Sequence, residues 1–91
     1  MEDGKRLQVG SSADLTLLHE SDNTTIDNYT GDLTITQNTD DGDIVFRSDD
    51  GLGGVTTYLT LDGSEGHTVA SKEINFSDGI PATFGNKAGG D

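Results

Sequence analysis

Apolar and polar residues alternate in short bursts along this chain, and the bursts are punctuated by Gly and Asp. The clearest pair runs from residue 31 to residue 51. Gly31-Asp32-Leu33-Thr34-Ile35 opens the first burst and Gly42-Asp43-Ile44-Val45-Phe46 the second, 11 residues later. A looser copy, Ala13-Asp14-Leu15-Thr16-Leu17, lies upstream. Alternation over four to six residues, bounded by turn formers, predicts short half-buried strands joined by tight turns.

Taken in order, the pattern predicts a strand at Leu7-Gln8-Val9-Gly10, then a Ser11-Ser12 turn. A second strand spans Asp14 to His19, with Leu15 and Leu17 on one face and Leu18 on the other. Glu20-Ser21-Asp22-Asn23 reads as a turn. Thr24 to Thr30 is rich in β-formers, with Ile26 on one face and Asp27 and Tyr29 on the other. Leu33 and Ile35 point inward in the next strand, and Ile44 and Phe46 in the one after. Val45 points the other way, which predicts cover on both faces of that strand. Asp49 to Gly54 is a loose turn.

Val55 to Leu61 is the longest alternating run. It predicts Val55, Thr57, Leu59 and Leu61 on one face, and Thr56, Tyr58 and Thr60 on the other. After the turn at Asp62 to Gly66, Val69 and Ser71 share one parity while Ile74 and Phe76 share the other. A parity break predicts a bulge or bend between Ala70 and Glu73. Asp78-Gly79-Ile80-Pro81 turns once more. No stretch is long enough in helix formers to nucleate a helix.

The fold class is therefore all-β, built of short strands and Gly/Asp turns. The two ends echo each other: Val9-Gly10-Ser11-Ser12-Ala13-Asp14 is similar to Phe84-Gly85 through Asp91. This predicts a flexible lead-in over 1–6, one β-rich repeat over 7–85, and the opening of a next repeat over 86–91.

Composition sharpens the picture. Only 30% of the 91 residues are hydrophobic and 5% aromatic, with no Trp. So few apolar side chains leave a lone copy short of burial, and neighbouring chains are expected to complete the interior. Cysteine is absent, which excludes a disulfide framework, thiolate metal sites and cysteine nucleophiles. The net charge of −12 argues against nucleic acid and anionic membranes as direct partners. No apolar run is long enough to span a bilayer, and no charged-then-apolar leader is visible. Orderly alternation and abundant β-branched residues speak against disorder, despite the low hydrophobicity.

Candidate chemistry is sparse. Asp40, Asp41, Asp43, Asp49 and Asp50 are candidate calcium ligands, because calcium takes several oxygens from flexible acidic loops. No EF-hand loop frames them, and Asp also ends strands and builds turns; the turn reading is preferred. His19 lies beside Glu20 but lacks a nucleophile context, and His67 is distant in sequence. Glu20, Glu65 and Glu73 have no spacing that fixes a glycosidase pair. Gly51 to Gly54 lacks the Lys and the helix of a phosphate loop. Tyr29, Tyr58 and Arg47 suit an interface. No catalytic residue and no cofactor is expected.

Several of these segments together resemble a repeat of tail-fibre and other appendage-like structural proteins of marine tailed phages, cyanophages especially. Leu7 to Gly10 leading to Ala13 through His19 is similar to that repeat's opening. There the family continues His-Asp-Gly, whereas this chain has His19-Glu20-Ser21. Ser21 to Leu33 is similar to the next segment. Asp43 through Asp49-Asp50-Gly51, with Thr57 to Ser64, carries the most specific likeness. Lys72 to Phe76 and Ala82 to Gly85 close the unit.

The resemblance covers residues 7–91. It implies a homotrimeric, β-helix- or β-prism-like shaft module of a virion tail fibre, extracellular, whose partners are its own copies and neighbouring fibre repeats. Such a shaft is a mechanical spacer that supports host attachment by carrying a recognition tip; the likeness itself implies nothing about a host-surface receptor. It implies no catalytic residues, no nucleic acid and no membrane insertion. Two alternatives remain open at this point. One is a receptor- or glycan-binding module of a fibre; the other is a calcium-stiffened bacterial adhesin repeat.

Overall fold

The structure, a computed structural model, describes residues 4–85. Residues 86–91, expected to open a further repeat, and the first three residues of the lead-in lie outside the described residues. Every regular element among the described residues is a β-strand, so the all-β class holds. The chain divides into two units, Met1–Ile35 and Thr36–Asp91. Each carries one three-stranded antiparallel meander.

In the first unit, β1 (Arg6–Val9), β2 (Leu15–Glu20) and β3 (Asn23–Asn28) lie in that order. The ladder reaches into the expected lead-in, since the Gly4 amide donates to the His19 carbonyl at 2.8 Å. Leu7 opposes Leu17 and Leu17 opposes Ile26. With Val9 opposite Leu15, they make one apolar face, while Leu18 falls on the other face as expected. The hairpin from β2 to β3 turns on only Ser21 and Asp22, at φ 51° and 75°. Both central residues are left-handed, which is the twist a two-residue hairpin requires.

In the second unit, β4 (Ile44–Asp49), β5 (Val55–Asp62) and β6 (His67–Ala70) form the other meander. The register slips between Phe46 and Arg47: Phe46 opposes Leu59, but Arg47 opposes Thr57. Tyr58 is the extra residue of a β-bulge. This corrects the expected faces of β5. Leu59 and Leu61 share a face with Phe46 and Ile44, whereas Val55 and Thr57 fall with Asp49 and Arg47. The bulge or bend expected between Ala70 and Glu73 is a bend at Lys72, just past the end of β6. There the Ser71 amide donates to the carbonyl of Tyr58, the bulged residue, at 2.9 Å.

Two expected strands are not formed. Residues 31–37, with Leu33 and Ile35, and residues 72–76, with Ile74 and Phe76, are outside every strand. Alternation specifies which side chains share a face, but a strand also needs a neighbouring backbone to bond. Gly42-Asp43-Ile44 gains one in β5; its copy 11 residues earlier gains none.

No hydrophobic side chain among the described residues is buried, and Thr16 at 4% exposure is the sole buried residue. Leu17 is 43% exposed and Ile26 61%. Neither face of β4 has the cover expected of it: Phe46 and Val45, on opposite faces, are both about half exposed.

Candidate functional site

The acidic residues singled out above sit in the turns flanking β4 or at its last position, and three of their carboxylates hold backbone amides. Asp50 Oδ1 accepts from the Leu52 amide at 2.7 Å and the Gly54 amide at 3.0 Å. The Asp50 amide donates to the Gly54 carbonyl at 3.0 Å, closing the loop around its own side chain. Asp49 Oδ2 accepts from the Gly51 amide at 2.9 Å. Gly51 and Gly53 take φ 83° and 98°, the backbone this loop needs and a side chain would resist. The Leu52 amide, then that of Gly54, lowers the Asp50 carboxyl below its ordinary value of 3.8.

Asp43 Oδ1 accepts from the amide of Gly63, 20 residues on, at 2.8 Å. Asp41 occupies the left-handed position, φ 62°, of the turn in which the Gly42 amide donates to the Thr39 carbonyl at 2.8 Å. Asp40 precedes it, exposed. Asp40 and Asp41 thus lie in the turn before β4 and Asp43 just after it, while Asp49 ends β4 and Asp50 opens the loop to β5. Among the described residues no three of His, Cys, Asp and Glu converge as metal ligands.

Sequence reasoning missed three polar side chains that organise loops. Asp62 Oδ1 accepts from the Ser64 hydroxyl at 2.9 Å and from the Ser64 and Glu65 amides at 3.1 Å. The Glu65 amide, then the Ser64 hydroxyl, lowers its carboxyl below 3.8. The signal was present: Asp two residues before Ser, across Gly, is the spacing of a side-chain turn. Gln37 folds over the Thr39–Gly42 turn, accepting from the Thr39 amide at 3.0 Å and donating to the Asp43 carbonyl at 3.2 Å. Asp14 takes the Thr30 hydroxyl on Oδ1 at 3.1 Å, and its carbonyl takes the Tyr29 amide at 2.7 Å.

His19 Nδ1 lies 2.9 Å from Thr24 Oγ1, its cross-strand neighbour. His67 opposes Asp62 at the mouth of the β5–β6 loop. Glu20 belongs to the first unit; Glu65 and Glu73 belong to the second. Arg47 flanks the bulge at Tyr58, whose hydroxyl donates to the Asp49 carbonyl at 2.6 Å. Tyr29 belongs to the other unit.

The carboxylates of Asp43, Asp49, Asp50 and Asp62 are spent on the backbone amides of loops. What each unit presents beyond that is an apolar sheet face. Leu7, Leu17 and Ile26 cross the first sheet in one row, and Phe46 and Leu59 cross two strands of the second. No protein-family model matches the chain, and no curated protein or solved structure does either.

Proposed function

We propose that this chain is a structural repeat of a viral tail fibre, a homotrimeric β-rich module of the shaft that supports host attachment. One observation carries the reading: two three-stranded meanders leave every described apolar side chain at least partly exposed. A sheet with an apolar face must bury that face against a second layer. Copies of the same chain supply that layer in a β-prism- or β-helix-like trimer, and they also cover the open edges that would otherwise invite aggregation. The family likeness of residues 7–91 supports the same reading and adds the virion surface as its place. The role is mechanical, with burial and backbone pairing in place of catalysis.

Light scattering on the purified chain, with circular dichroism on the same sample, is the test. The expected result is a β-rich species of three 9.5 kDa chains. A cooperatively folded monomer at the same concentration overturns the reading.

A further inference from the structure

The segment 31–36 keeps a strand's alternation without a strand partner, and β4 lies at the edge of its sheet. Resting on the trimer reading above, we propose that residues 31–36 of one copy add as an antiparallel strand to the open edge of β4 in a neighbouring copy.

Register carries the argument. Antiparallel pairing that sets Leu33 against Phe46 also sets Asp32 against Arg47, Thr34 against Val45 and Ile35 against Ile44. One alignment thus gives an opposite-charge pair, two apolar pairs and a β-branched pair, all of them favourable across strands. The neighbouring registers do worse. A slip of one residue puts Leu33 against Arg47 or Asp32 against Phe46, and turns the segment's apolar face outward. A slip of two puts Asp32 against Asp49, or Ile35 against Gly42. In the favoured register Leu33 and Ile35 extend the apolar face of Ile44, Phe46, Leu59 and Leu61 by one strand.

Edge and origin are selected by the same comparison. β1 and β6 have four residues each, too few for the segment, and β3 (Asn23–Asn28) has Ile26 alone for apolar contact and no cation. β4 has six residues and carries Arg47, a rare cation in an acidic chain. Pairing within one chain is disfavoured by the turn in which Gly42 bonds Thr39. A hairpin continued from that turn sets Ile35 against Phe46 and the like charges of Asp32 and Asp49 against each other.

The absence of cysteine makes the test direct. Leu33→Cys and Phe46→Cys are purified separately, one of them isotope-labelled, then mixed in a glutathione redox buffer. The expected product is a disulfide between labelled and unlabelled chains, in excess over either self-linked product and over a Leu33→Cys with Val45→Cys mixture. No excess over that off-register pair overturns the proposal. So does a Leu33→Cys/Phe46→Cys double variant that closes only within its own chain.

If a cysteine variant fails to fold, Asp32→Arg and Arg47→Asp decide the matter. Each alone should raise the concentration for half-assembly about threefold or more, and the two together should restore it. A double variant no better than the singles overturns the pairing. Trimers by light scattering without the cross-link sink this pairing alone, whereas a monomer sinks the fibre reading itself.

Discussion

The amide of Gly63 meets the carboxylate of Asp43 at 2.8 Å and ties the turn before β4 to the turn after β5. The approach is close because Gly63 has no side chain: a Cβ there would collide with the carbonyl oxygen of Gly42. Backbone, unlike a flexible side chain, has little room to give. Gly63→Ala should therefore destabilise the second unit by about 1–3 kcal/mol, the range for forcing extra volume into a filled site. Urea titration by circular dichroism measures it; a loss under half a kcal/mol contradicts the packing described.

The hairpin at Ser21 and Asp22 keeps two non-glycine residues left-handed. Asp22→Gly removes the steric penalty at φ 75° and adds chain entropy to the unfolded state. The first term is the larger, so the variant should gain about 0.5–1 kcal/mol. Thermal midpoints of the two proteins, at matched concentration, check the sign.

Asp50 and Asp62 have carboxyls lowered below 3.8 by amides, and for Asp62 also by a hydroxyl. A group whose pKa falls on folding stabilises the native state above its unfolded value, and that contribution disappears as pH drops through the lowered one. Both loops should hold unchanged from neutrality to about pH 4, then loosen in more acid solution. Amide shifts of Leu52, Gly54 and Glu65 followed from pH 7 to pH 2 test this. Loss of the loop signature well above pH 4 contradicts it.

Leu17 stands at the centre of the first sheet's apolar row, between Leu7 and Ile26, yet is 43% exposed. Leu17→Asp should lower the thermal midpoint strongly where copies assemble and little where they do not, because desolvating the carboxylate is what costs. A midpoint that rises with protein concentration in the unaltered chain and stops rising in the variant is the expected pair of results.

How much of this was legible in the sequence can be argued element by element. Alternation located β1 to β5, because side-chain parity is a local property of an extended backbone, whereas for β6 it gave only the parity of Val69. It also separated Leu15 and Leu17 from Leu18, as the register of β2 shows. Asp and Gly marked the turns, since carboxylate-to-amide bonds and left-handed glycines are local too. The tertiary structure alone decided the rest. Whether Leu33-Thr34-Ile35 or Ile44-Val45-Phe46 becomes a strand depends on a partner backbone, and partners are not written in parity. The bulge at Tyr58 arises where two strands of fixed sequence must match in register, so Val55 and Thr57 changed faces with no local sign. Asp43 finds Gly63 only once β4 and β5 have paired, 20 residues being beyond the reach of any turn rule.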